Sequence, residues 1–225
     1  MSELGWLSRT HADVPAGEAW LGPHERGVLA GLRVAKRRED WLLGRWTSKL
    51  AVSAWLDATP ERVEVIAAPD GAPEPYLDRE PAPVALSLSH RAGRALAVVA
   101  DQPNSVGCDL ELIEPRSDAF VREWLSPSEQ ALVAAAGDGP ARAANLFWTA
   151  KEAAAKARRE GLRLDVRGAV ADPGTARASA AGWHPLRVDW DGATIAGWWR
   201  AEPDWVMAVA ADPAPGEPRL VACPR

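Results

Sequence analysis

Long apolar runs are missing from this chain of 225 residues: no window approaches the roughly 18 apolar residues of a membrane-crossing helix. The opening stretch MSELGWLSRTHADVPAGEAW lacks the basic start and apolar core of a signal peptide, so a cytoplasmic protein is expected. Cysteine is scarce, with only Cys108 and Cys223, which rules out a disulfide framework and leaves too few soft ligands for a zinc site. Cys108 reads as a small buried hydrophobe. The net charge of −5 excludes general nucleic-acid binding. Lysine is also rare: Lys36, Lys49, Lys151 and Lys156 are the whole set. No Walker A loop, G-x-G-x-x-G, H-E-x-x-H or G-x-S-x-G elbow occurs, which removes the commonest nucleotide-loop, zinc-protease and serine-hydrolase readings.

What remains has the composition of an ordinary globular protein, 47% apolar and 25% charged. One stretch is locally basic: Arg26, Arg33, Lys36, Arg37, Arg38, Arg45 and Lys49 outweigh Glu39 and Asp40. A basic patch on an acidic chain suits a small anionic ligand better than a polyanion.

Apolar spacing predicts helices over 23–33 and 36–57, a strand over 61–68 and a Pro-rich loop over 69–83. Strands over 84–90, 94–101 and 105–112 are expected to form an antiparallel meander. Ser126, Pro127 and Glu129 open a second helical region, with Ser126 as cap. The helix over 140–161 is expected to stop at Gly161. Strands follow near 164–171, 185–190, 194–200 and 204–212, with a hairpin turn at Asp191-Gly192. The expectation is an α+β fold of two similar halves, 1–115 and 116–225, packed as one unit around a site at their interface. The halves share an order of elements without an evident repeated sequence.

Four weak constellations carry chemistry. Asp109 and Glu111 share one face of a strand, and like charges so close call for a cation or a proton unless the face is merely wet. Oxygen donors alone favour Mg²⁺ or Ca²⁺. In WTAKEAAAK, Glu152 and Lys156 lie on one helical face, as a further oxygen ligand and a phosphate contact or as an ordinary surface pair. In SLSH, Ser87 and Ser89 share a face and His90 closes the strand, either as a phosphate or proton-transfer group or as a turn residue. In GRWTSK, Arg45 and Lys49 are one turn apart without an acidic partner there, which suits a phosphate or a solvated basic face.

Together, in order and spacing, these stretches resemble the 4′-phosphopantetheinyl transferases, specifically the larger monomeric, surfactin-synthetase-activating type. The matching motifs are Gly44-Arg45…Lys49, Ser87-Leu88-Ser89-His90, Val106-Gly107-Cys108-Asp109-Leu110-Glu111 and Trp148-Thr149-Ala150-Lys151-Glu152…Lys156, covering about residues 25–170. The resemblance implies coenzyme A bound between two pseudo-twofold halves. It implies transfer of the phosphopantetheine arm to a serine of an apo acyl or peptidyl carrier protein in polyketide or non-ribosomal peptide biosynthesis.

By the same resemblance, Asp109, Glu111 and Glu152 would ligate Mg²⁺. Arg45, Lys49, Ser89, His90, Lys151 and Lys156 would line the coenzyme, and Lys156 would stabilise the departing 3′,5′-ADP. The base for the carrier serine would be Glu152, Glu129 or a water on the metal. Glu129 has an equal claim as the partner of Ser126 in a capping box. Phe120, Trp124 and Leu125, with Arg122, Arg142 and Arg158, are candidate carrier contacts. One departure matters: the family often carries a basic residue in a G-K-P or G-R-P loop, where this chain has Gly71-Ala72-Pro73. Arg79 is a possible substitute, and Arg91, beside His90, a possible extra phosphate contact. A non-catalytic coenzyme A or carrier-binding relative and a Mg²⁺-dependent pyrophosphatase are the competing readings.

Overall fold

The computed structural model describes residues 2–137, 139–159 and 165–221. Its helices are α1 (Pro23–Gly31), α2 (Ala35–Trp55), α3 (Asp118–Trp124), α4 (Pro127–Ala134) and α5 (Pro140–Ala157). The first strands are β1 (Gly5–Thr10), β2 (Val63–Ala67), β3 (Pro73–Leu77), β4 (Glu80–Pro81), β5 (Val84–Arg91), β6 (Arg94–Asp101) and β7 (Ser105–Leu112). The rest are β8 (Val170–Asp172), β9 (His184–Trp190), β10 (Ala193–Ala201), β11 (Trp205–Asp212) and β12 (Arg219–Leu220). The expected helix end at Gly161, residue 164 of the expected strand, and Cys223 lie outside the described residues.

The protein is an α+β fold with two principal sheets, ordered β12-β1-β6-β5 and β7-β11-β10-β9-β8, and a small sheet β2-β3-β4. The sheets stack face to face. Leu96 and Val98 of β6 meet Val106, Cys108 and Leu110 of β7 and Met207 and Val209 of β11. Helix α2 covers the outer face of the first sheet through Leu50, Ala51 and Val52 against Ala97 and Val99. Helix α5 covers the second through Ala150, Ala153 and Ala154 against Val188 and Ala208. Covering on both sides explains why RALAVVAD and DWVMAVAAD are nearly continuous apolar runs.

Two sequence expectations fail here. The meander stops at β6: β1 occupies that strand's other edge, Gly5 opposite Val99, and β7 instead pairs with β11, Asp109 opposite Ala208. Strand β7 thus lies in the second sheet, and β12 returns to the first sheet beside β1. The Pro-rich stretch is not all loop either. Pro73 and Pro75 lie two residues apart in β3, so both lack a donor on the same edge, the one away from β2. On that edge the Pro75 carbonyl accepts from Ala82 N at 3.0 Å.

The two halves do carry a repeated sequence, visible once the structure aligns them. Trp20-Leu21-Gly22-Pro23-His24-Glu25 leads into α1 and Trp124-Leu125-Ser126-Pro127-Ser128-Glu129 into α4. Trp46-Thr47-Ser48-Lys49 lies in α2 and Trp148-Thr149-Ala150-Lys151 in α5. Each copy builds the same buried clamp. Glu25 accepts from Gly22 N (2.8 Å), Val65 N (2.9 Å) and Lys49 Nζ (2.9 Å). Glu129 accepts from Ser126 N (2.7 Å) and Ala171 N (2.8 Å), and pairs with Lys151 Nζ (2.8 Å). The tryptophans repeat too, edge to face at 5.1 Å for Trp20–Trp46 and 5.5 Å for Trp124–Trp148.

Candidate active site between the two halves

The site begins with a glycine. On β7, Val106, Cys108 and Leu110 face the first sheet, so Gly107, Asp109 and Glu111 face α5. A methyl group at Gly107 would lie 2.0 Å from Ala153 O and 2.4 Å from Ala157 N. Without a side chain there, the α5 backbone settles onto β7 and carries Lys156 to Asp109.

Asp109 is almost fully buried. Its Oδ1 accepts from Ser89 Oγ at 2.7 Å and from Lys156 Nζ at 2.8 Å. Lys156 also donates to Cys108 O at 2.9 Å. Burial opposes the Lys156 charge, but Asp109 and its other anionic neighbours outweigh it and raise the pKa above the ordinary lysine value. The S-x-S pair of β5 acts as a fastener between the halves. Ser89 holds Asp109, and Ser87 Oγ accepts from Cys108 N at 3.0 Å. Cys108 is buried as expected, its thiol pushed up to about 11 by burial.

Glu111 meets two guanidinium groups, Arg116 at 3.0 Å and Arg91 at 3.5 Å. Arg116 is anchored in turn: its Nε donates to Asn145 Oδ1 at 2.7 Å and its plane lies 4.8 Å from the Phe120 ring. Arg91 also pairs with Glu114. Burial raises the pKa of Glu111, as does the charge of Asp109, with Arg116 and Arg91 opposing. Glu152, on α5, is raised by burial first, then by Asp109 and Glu111, against Lys156. The three acids therefore sense one another. Sequence reasoning missed Arg116 as their neighbour, because a lone arginine after a Pro carries no spacing signal.

His90, at the end of β5, has its pKa lowered by loss of hydration. Asp40 opposes the shift, while Lys156, Lys36 and His11 reinforce it. Asp40 pairs with Lys36 at 2.6 Å and stands 3.6 Å from His11.

Several expected ligand contacts are engaged elsewhere. Lys49 and Lys151 are fully buried in the repeated clamps, and Glu129 closes its capping box with Ser126 while holding Lys151 and Ala171. Arg45 and Lys49 do have an acidic partner, Glu25, which is distant in sequence. Arg45 stands 3.7 Å from it, donates to Val65 O and packs on Trp41. The physical reason is common to all four: a buried charge requires a counter-charge, and the fold supplies one from another element.

The donor chemistry around Asp109 fits a hard divalent cation. The acids offer only oxygen, Asp109 Oδ2 is buried with no hydrogen-bond partner, and a cation would offset both the burial and the mutual repulsion that raise Glu111 and Glu152. Among the described residues, however, no three His, Cys, Asp or Glu groups already stand at ligating spacing. The carboxylates turn instead to Lys156 and Arg116, the nearest positive charges.

In the second half, Glu152 and Lys156 occupy the α5 positions that Leu50 and Ala54 hold in α2, counting from the shared W-T-x-K. At these matched positions the acid and the lysine occur in one copy of the repeat only. Over 182 residues, 73% of each chain, the sequence is 22% identical to a candidate 4′-phosphopantetheinyl transferase of Synechocystis sp.. Residues 105–210, the segment that carries Asp109, Glu111, Glu129, Lys151, Glu152 and Lys156, match the 4′-phosphopantetheinyl transferase superfamily.

Proposed function

We propose that this protein transfers the 4′-phosphopantetheine arm of coenzyme A to a serine of an apo acyl or peptidyl carrier protein and releases 3′,5′-ADP. The carrying observation is the gathering of Asp109, Glu111, Glu152 and Lys156 on facing surfaces of β7 and α5, within the segment matched to the superfamily. Asp109, Glu111 and Glu152 would hold Mg²⁺, which when bound neutralises charge on the pyrophosphate.

The chain's own groups divide the remaining work. The carrier serine Oγ attacks the phosphorus that bears the pantetheine arm, and the bond from that phosphorus to the bridging oxygen breaks. Glu152, on the α5 face that meets β7, accepts the serine proton as general base. Lys156 stays charged and stabilises the negative charge gathering on the leaving phosphate. Ser89 holds Asp109 in place, and His90 and Arg45 border the phosphate-binding side. Lys49, Lys151 and Glu129 support the fold around the site. The duplicated halves in one chain support the monomeric, surfactin-synthetase-activating type; the cytoplasm as its compartment and polyketide or non-ribosomal peptide carriers as its substrates complete the proposal.

The test is intact mass of apo carrier proteins after incubation with the protein, coenzyme A and Mg²⁺. A gain of one phosphopantetheine, lost on chelation and in Asp109→Ala, is expected. No gain across peptidyl, aryl and acyl carriers overturns the reading. Coenzyme A binding without turnover would leave a binding relative, and 3′,5′-ADP release without a carrier would leave a pyrophosphatase.

A further inference from the structure

The two acids of β7 are each held by one oxygen only. Ser89 and Lys156 both donate to Asp109 Oδ1, while Oδ2 is buried without a partner. Arg116 and Arg91 both approach Glu111 Oε2, and among the described residues no donor reaches Oε1. The two arginines are not equivalent. The Arg91 side chain is 44% exposed, stands 3.5 Å away and is shared with Glu114. The Arg116 side chain is 16% exposed and hydrogen-bonds Glu111 at 3.0 Å.

Arg116 is also fixed from behind. Its Nε donates to Asn145 Oδ1 at 2.7 Å, and Phe120 lies against its plane. Asn145 is fully buried on α5, two turns before Glu152 and on the same helical face. Its Nδ2 donates to Glu114 O and to Ala141 O, each at 2.7 Å, so both donors are used and Oδ1 is left to receive the arginine. A guanidinium that serves only to neutralise a carboxylate commonly grips both oxygens. Here the fork is split, one nitrogen on the amide and another on a single carboxylate oxygen.

We infer that Arg116, anchored by Asn145, is a positioning residue for Glu111: it holds Oε2 and keeps Oε1 available to the divalent cation, as Ser89 and Lys156 do for Asp109 Oδ2. The inference rests on the proposed transfer reaction and its cation. The same helix then sets two of the three acids, Glu152 directly and Glu111 through Asn145 and Arg116.

The test measures Mn²⁺ binding to the full chain, with saturating coenzyme A, from the electron paramagnetic resonance of free Mn²⁺. Wild type is compared with Arg116→Gln and Arg116→Lys. Removing the support of a metal ligand is expected to weaken Mn²⁺ binding about tenfold or more. Lysine keeps the charge but cannot bridge Asn145 and Glu111, so both variants should weaken alike. Unchanged or tighter binding in Arg116→Gln overturns the inference, since the arginine would then be only a competing charge. Wild-type affinity in Arg116→Lys overturns it too, because charge without the split fork would suffice. If neither variant folds, a crystal structure of wild type with Mn²⁺ and coenzyme A decides. Arg116 should stay on Oε2 with Oε1 on the ion, and an Arg116 displaced from Glu111 overturns the inference. Wild type that binds Mn²⁺ with coenzyme A and modifies a carrier confines any such failure to Arg116. Wild type that takes up no Mn²⁺ with coenzyme A removes both this inference and the functional reading.

Discussion

Glu152 is poised between two requirements. Its carboxyl titrates above the ordinary range because it is buried beside Asp109 and Glu111. The folded state therefore holds this proton more tightly than the unfolded state. The group favours folding below its unfolded pKa, and that contribution is lost as pH rises through the raised folded value. Once the carboxyl is ionised in both states, its charge opposes folding. Glu152→Gln should accordingly raise the thermal midpoint at pH 7 by a few degrees and abolish transfer, while at acid pH the difference should vanish. A midpoint below wild type at pH 7 would contradict the electrostatic account. Asp109, Glu111, Glu152, Lys156 and His90 were legible as candidates because strand and helix periodicities place them on defined faces. The buried partners of Lys49 and Lys151 were not. Each is an acid from a remote segment, and a single lysine in a sequence carries no trace of what it will meet.

At the scale of elements, the repeat lets one solution be compared with another. Helix α1 starts at Gly22 and borrows Glu64 from β2, whose Oε1 accepts from His24 N at 2.7 Å and Glu25 N at 3.2 Å. Helix α4 starts at Ser126, whose own hydroxyl accepts from Glu129 N at 3.3 Å. The position matching Glu64 is there Val170. A methyl group at Gly22 would lie 2.3 Å from Glu64 Oε1, so the two capping schemes exclude each other. Gly22→Ser and Glu64→Val should each destabilise by about 1–2 kcal/mol, and the double variant should recover most of that loss in a denaturant double-mutant cycle. Additive losses would show the two positions to be uncoupled. Gly107→Ala makes a sharper prediction. Its methyl group would strike backbone rather than a movable side chain, so a loss of about 3 kcal/mol or more is expected, with transfer reduced as α5 lifts from β7. The sequence located the long helices and most strands because their apolar periods are regular. It misplaced β7 as the third strand of a meander because alternation fixes which face is buried but not which neighbour a strand takes. It missed β1 and β3, one in a short amino-terminal segment and the other masked by prolines.

At the scale of the molecule, two stacked sheets with a helix outside each make a single body whose proposed catalytic groups lie where the edges of β5 and β7 meet. Light scattering is expected to give a monomer, since one chain already contains both halves; a stable dimer would contradict that. The ion pairs at the centre of each half are structural, and removal of one lysine leaves an unpaired buried glutamate. Lys49→Met and Lys151→Met should each cost about 3–5 kcal/mol in urea unfolding.

The twin clamps also give the protein an internal control. The Glu25–Lys49 and Glu129–Lys151 pairs are built from the same residues in the same order, yet only the second sits on the helix that bears Glu152 and Lys156. Any perturbation made in both places subjects the fold to nearly the same insult twice, once on the helix that bears Arg45 and once on the helix that bears Glu152 and Lys156. The difference in transfer rate between the two variants, at matched loss of stability, measures how tightly helix position is coupled to chemistry, without reference to any other protein.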